Sequence, residues 1–324
     1  MSRLPDGRRF AFTVIDDTDV ATVENVAPVY RLLERMGMRT TKTVWPLGCP
    51  EGSRDFDSSQ TLEDSDYRAF VVDLQRRGFE IASHGATMES SERGRTLRGF
   101  EEMRTTFGAY PTVHANHANN REGLYWGSAR VDEPLVRTVY RLAVRDPDAF
   151  EGHVEGSPYW WGDLARAHIR YVRNLTFQTL NVTRINPTLP YHDPRRPAVN
   201  WWFSAADAEN CAAFNRLLRP AAQDHLERDG GIAIVATHFG KGFVTNGRLN
   251  AETAHLLELM SRRPGWFVPV GELLDWLRHG GAGSPLPADE WRRMQRRWLR
   301  DLLGRALADR ARRAAAWLGV GRAS

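Results

Sequence analysis

Short apolar runs separated by stretches of helical period dominate this chain, and several of the runs end in acids or histidines. The first run, residues 10–15, closes on Asp16-Asp17-Thr18-Asp19. An apolar run of that length reads as a buried strand, and the spacing after it predicts a helix over 20–36 that Gly37 stops. Neighbouring carboxylates repel, so several together are costly unless a cation or a proton-transfer task needs them. The plainer alternative is a polar turn in which Thr18 or Asp19 caps the helix.

The pattern repeats. Strands are expected over 40–45, 79–83 and 111–115, near 175–182, and over 231–237 and 266–270. Helices are expected from Ser58 or Thr61 to 77, and over 91–107, 205–228, 250–263 and 271–277, with a polar loop at 48–59. His84 and His238 each follow a strand, and His114 lies in one. Such alternation specifies an α/β fold, a parallel sheet with helices outside, open or closed into a barrel. In a parallel barrel the rim at the carboxyl ends of the strands carries the chemistry.

These motifs resemble the NodB-homology polysaccharide deacetylases, carbohydrate esterase family four, over residues 8–278. Thr13-Val-Ile-Asp16-Asp17 is similar to the family's first motif. Gly78-Phe-Glu-Ile-Ala-Ser-His84 is similar to the strand of the second, and Ile232-Ala-Ile-Val-Ala-Thr-His238 to a late strand. Residues 266–274 are similar to its last strand and helix. The resemblance implies a distorted (β/α) barrel that uses a divalent metal, usually zinc, to remove an acyl group from a sugar amine, or less commonly a hydroxyl. By the same match Asp16 is the general base, Asp17 and His84 are metal ligands, and His238 is the general acid. The sequence departs from the family at Met88, where a second histidine is usual, and a thioether is a poor zinc ligand. A zinc hydrolase needs three protein ligands and an open position, and His114 or His117 is the candidate third. Residues three apart do not share a strand face, so one of the two faces the site unless the chain turns between them. Asp19, Asn116, Asn119 and Asn120 are candidate supports for the ligands. The alternative is a non-catalytic carbohydrate-binding or assembly protein with a degenerate metal site.

Aromatics cluster at Tyr125-Trp126, Tyr159-Trp160-Trp161 and Trp201-Trp202-Phe203. Flat apolar rings suit sugar faces, so Trp126, Trp201 and Trp202 are candidate subsite walls, with core packing as the alternative for each. Asn119, Asn120 and Lys241, the last flanked by Gly240 and Gly242, are candidate polar contacts to substrate.

The formal charge is +4, and its basic part is nearly all arginine: Lys42 and Lys241 are the only lysines. Residues 291–324 hold ten arginines against two acids. A Gly/Pro-rich linker at 280–287 sets off this segment, so the chain divides into a barrel domain, 1–280, and a helical appendage, 281–324. Trp291, Met294, Trp298 and Leu302 recur at helical spacing among the arginines, a basic amphipathic helix that suits an anionic membrane surface or packing on the barrel. A cytoplasmic protein, peripheral to the inner face of the membrane, is expected. No apolar run reaches a membrane span or forms a signal core, and Cys49 and Cys211 make neither a disulfide framework nor a metal motif. The resemblance adds a lipid-linked sugar as a candidate substrate. No basic stripe with interleaved aromatics is present, so nucleic acid is not an expected partner.

Overall fold

The computed structural model describes residues 4–50, 53, 59–280 and 285–320. The expected loop at 48–59 and linker at 280–287 lie partly outside these residues. Seven parallel strands close into a barrel: β1 (Phe10–Asp16), β2 (Thr41–Val44), β3 (Glu80–Ser83), β4 (Val113–Ala115), β5 (Tyr171–Phe177), β6 (Trp201–Ala208) and β7 (Ile232–Thr237), with β7 returning to pair with β1. Every residue of β1 and β7 is buried, which is why both read as continuous apolar runs.

The barrel is distorted at one seam. A hairpin of β8 (Val244–Thr245) and β9 (Arg248–Leu249) follows β7, and then a two-residue strand, β10 (Gly265–Trp266), comes in beside β1. β10 pairs with the start of β1 at Phe10 and Ala11, whereas β2 pairs only with its end, at Ile15 and Asp16. The seam therefore splays at the amino end of β1 and closes at the end that carries Asp16.

The helices are α1 (Val23–Arg35), α2 (Ser65–Arg76), α3 (Arg93–Phe107), α4 (Pro134–Ala143), α5 (Gly162–His168), α6 (Cys211–Leu217), α7 (Pro220–Asp229), α8 (Ala251–Ser261), α9 (Val270–His279) and α10 (Ala288–Val320). Two expectations are corrected. The stretch expected to be one helix over 205–228 begins instead with the end of β6 and breaks between α6 and α7 at Pro220. Alanines 205, 206 and 208 are good helix formers, but pairing with β5 and β7 on both edges overrides that preference. The strand expected near 175–182 lies earlier, at Tyr171–Phe177.

The appendage does not stand apart. Trp291, Met294 and Trp298 are buried in a cluster with Val172 and Trp202 of the barrel and Val136 and Tyr140 of α4. Each such side chain contributes about 1.5–3 kcal/mol of burial. The stripe the sequence offers to a membrane is thus covered as far as Trp298, while Leu303 and Leu307 stay exposed. Among the described residues no helix is long and apolar enough to cross a membrane.

Candidate active site

Asp16 ends β1, Ser83 and His84 end β3, Ala115 ends β4 and Thr237 precedes His238 at the end of β7, so one rim gathers the polar strand ends. Asp19 is aimed into that rim by an unfavourable backbone. Val20 has φ of 52°, a left-handed conformation that a β-branched residue rarely adopts. A Cβ on Gly240 would sit 2.7 Å from the Val20 carbonyl oxygen, so only glycine admits this close approach. Strain of this kind persists where the surroundings enforce it, and it collects at functional sites.

Asp16 is not placed as a base. It is fully buried; its Oδ1 accepts the Phe239 N–H at 2.7 Å, and its Oδ2 accepts the Tyr30 hydroxyl at 2.9 Å and lies 3.0 Å from Lys42 Nζ. Lys42, from the middle of β2, is equally buried. Burial disfavours both charges: it raises the Asp16 carboxyl in spite of Lys42, whereas at Lys42 the Asp16 charge prevails over burial and raises the ammonium. The expected base is therefore one half of a sealed ion pair.

Asp17 is also paired, yet it stands at the edge of the site. Arg173 of β5 holds it in a two-pronged contact, Nη1 to Oδ1 at 2.8 Å and Nη2 to Oδ2 at 2.6 Å. Burial opposes ionisation, but the Arg173 charge and the neighbouring His84 and His238 hold its pKa down at about 2. The sequence reading missed both Lys42 and Arg173. Their signal was a lone cation inside a β-branched or apolar strand, where a charge needs a buried partner.

Three imidazoles turn the same nitrogen toward the acids. His84 Nδ1 lies 2.8 Å from the Ala115 carbonyl, and His238 Nδ1 lies 2.8 Å from the Glu209 carbonyl. A carbonyl only accepts, so both Nδ1 atoms carry hydrogen. His117 Nδ1 lies 2.8 Å from Asn120 Oδ1, and the Asn120 amide is fixed because its Nδ2 donates to the Thr87 and Glu89 carbonyls. In the neutral form of each ring the lone pair is therefore on Nε2, and a ring that gains a second proton donates from that atom. Those Nε2 atoms meet Asp19: His84 at 3.2 Å, His238 at 3.3 Å and His117 at 3.8 Å. Trp45 stacks on His84 and meets His117 edge-on, walling both.

Among the described residues no three His, Cys, Asp or Glu side chains are placed so that they could hold a metal ion as they stand. The chemistry of the donors nonetheless fits a cation. Asp19 Oδ1 is buried, with His84 Nε2 3.2 Å away and no other hydrogen-bond partner among the described residues. Ligands bound at about 2.0–2.1 Å in a tetrahedron stand about 3.3 Å apart, near the separations between Asp19 and the imidazoles. Lys241 Nζ is 3.1 Å from Asp19 Oδ2, which places this lysine on the acid. His238 is pushed down by burial, but the Asp19 hydrogen bond and the charges of Asp17 and Asp19 outweigh that and raise it.

Other expected residues fall elsewhere. The structure does not offer His114 as a ligand, because both its nitrogens are used. Asn116 Oδ1 receives the Leu124 N–H and lies 3.2 Å from His114 Nε2, and Ser83 Oγ lies 3.1 Å from Nδ1. The chain turns after β4, so His117 rather than His114 reaches Asp19, and it stands beside His84 with ring centroids 5.4 Å apart. Asn119 is exposed, and Asn120 is spent on His117. Trp201 and Trp202 begin β6, at the rim opposite His238, and Trp202 is buried, so neither walls a subsite at the acids. The Trp126 ring carries the Arg130 guanidinium at 3.3 Å.

Burial holds His114 neutral, with its pKa lowered to about 3. A depressed histidine adds stability that is complete above its ordinary value near 6.5 and is lost as pH falls toward 3. The full loss is about 5 kcal/mol. His114→Gln is expected to flatten the fall in urea midpoint between about pH 6.5 and 4. An unchanged slope in the variant contradicts the assignment.

No family model and no curated protein sequence matches this chain. Solved structures do. A Mycobacterium smegmatis protein assigned as a polysaccharide deacetylase superposes with a TM-score of 0.50 at 14% identity, covering 87% of this chain and 95% of that one. The fold is that of the NodB-type polysaccharide deacetylases. Puue allantoinase matches with a TM-score of 0.50 at 12% identity, covering 86% of this chain and 93% of its own.

Proposed function

We propose that this protein is a divalent-metal-dependent hydrolase that removes an acyl group, acetyl or formyl, from the amine of a sugar in a glycan. The observation that carries the reading is the convergence of three imidazole Nε2 atoms on Asp19, an arrangement that a polar turn or a core histidine does not need. The barrel shared with a deacetylase supports the reaction class. The allantoinase shows that the barrel is not confined to sugars.

Asp19, His84 and His117 would hold the metal, zinc by the family resemblance. When bound, it supplies a Lewis acid for the acyl oxygen and acidifies water. Ala115 and Asn120 fix the tautomers and ring directions of His84 and His117. His238, raised by its acids, holds a proton on Nε2 and gives it to the departing amine. Water adds its hydroxyl to the acyl carbon, and its proton returns to His238 Nε2, which lies 3.9 Å from Asp17 Oδ2. Arg173 keeps Asp17 ionised and in place throughout.

An N-acetyl or N-formyl amino sugar, soluble or carried on a lipid, is the proposed substrate class. An anionic membrane contact through α10 is not part of the proposal, since the barrel takes the apolar stripe of that helix. The test is release of acetate or formate from N-acylated amino sugars and their oligomers, with zinc supplied. His238→Gln is expected to lower kcat by about 10²–10⁴-fold with little change in KM. Binding of the same glycans without release by the wild type overturns the hydrolase and leaves a non-catalytic carbohydrate-binding protein.

A further inference from the structure

Among the described residues Arg130 is a buried cation without a counter-charge. It is 6% exposed, and within those residues its Nε has no hydrogen-bond partner and it makes no ion pair. Its described contacts are two ring faces, Trp126 with the centroid 3.3 Å from the guanidinium carbon and Trp298 with the centroid at 5.2 Å. Attraction to a ring face is smaller than the cost of taking a guanidinium out of water unpaired. The neighbours worsen the imbalance, because the positive charges of Arg173 and Arg305 repel it, while Tyr140 and Tyr191 contribute hydroxyls and no carboxylate. Burial and these charges lower it to about 10. Other buried arginines here are paired: Arg173 with Asp17, and Arg196 with Asp132 and Asp193.

The position of Arg130 gives this vacant charge a use. It ends a short turn, residues 127–130, just after the segment that Asn116 ties to the rim through Leu124. Arg173, which acts on it electrostatically, reaches from there to Asp17. We propose that Arg130 is an anion-recognition residue, which takes a carboxylate or phosphate group carried by the substrate beside the Asp17–Asp19 rim. The substrate would then be an acidic sugar derivative, an inference that rests on the reading of the rim as a sugar hydrolase. A planar guanidinium can present its N–H edge to such a group in two-pronged fashion.

The test needs no activity and no metal. Melting of the full chain is followed against inorganic phosphate, glucuronate and, as the neutral control, glucose, at constant ionic strength set with chloride. A saturable rise on the order of 4 °C is expected with the anions near a hundredfold excess over Kd, and none with glucose. Arg130→Leu is expected to abolish the rise, and Arg130→Lys, which keeps the charge but not the fork, to reduce it. A response to glucuronate alone assigns a sugar-borne carboxylate, and a response to both anions assigns the bare anionic group. The proposal is overturned if no anion exceeds the chloride control, or if either folded variant keeps the full rise. Since melting reads anion binding alone, a failure here leaves the hydrolase reading standing, and failure of deacylation leaves this result intact.

Discussion

Lys42→Met is expected to destabilise the protein by about 3–5 kcal/mol, the cost of leaving a buried carboxylate without its cation. Asp16 has no exposure through which water could replace the ammonium, and its two remaining donors, Phe239 N–H and the Tyr30 hydroxyl, are already engaged. Asp16→Asn alone strands Lys42 in the same way. The double variant, Lys42→Met with Asp16→Asn, carries no buried charge and is expected to recover most of the loss, because removing both members of a pair costs far less than removing one. Urea unfolding of the four proteins gives the coupling energy directly. A single variant within about 1 kcal/mol of wild type contradicts the sealed pair, and would restore Asp16 as a candidate base.

Arg173→Met is expected to cost a similar amount, about 3–5 kcal/mol, and also to change the response to acid. With Arg173 present, the lowered Asp17 contributes stability that is complete above its ordinary value near 3.8 and is lost as pH falls through about 2. That contribution is about 2 kcal/mol. Without the guanidinium, burial is opposed by the charges of His84 and His238 without the stronger Arg173, so the Asp17 carboxyl rises, and its protonation and the loss of charge beside His238 move to higher pH. Arg173→Lys is expected to rescue little, since a point charge does not reproduce two parallel hydrogen bonds. Unfolding midpoints across pH 2–7 check both parts. A variant as stable as wild type at pH 7 contradicts the pairing.

The sequence made the barrel and its candidate rim legible because strand ends, acids and histidines are local signals. The run 10–15 followed by Asp16, Asp17 and Asp19 pointed to the rim at which the polar strand ends gather. What stayed hidden was the assignment of partners. Lys42 meets Asp16 only when β2 pairs beside β1, and Arg173 meets Asp17 only when β5 faces β1 across the barrel, so nothing near them in sequence reveals which carboxylate each one neutralises. The roles consequently move along the chain, away from Asp16 and toward Asp19. His114 and His117 could not be separated because the choice depends on where β4 ends and how the loop turns. Trp202 was misplaced because strand direction decides which rim a residue occupies, and β6 was itself hidden by its alanines.

The central claim is that Asp19, His84 and His117, rather than Asp17 or His114, hold a divalent metal. Elemental mass spectrometry of the purified protein, after zinc is supplied during growth, tests it directly. About one equivalent is expected in the wild type and in folded His114→Gln, and very little in Asp19→Ala, His84→Ala or His117→Ala. Wild type without metal, or metal kept by folded Asp19→Ala and His117→Ala, contradicts the account.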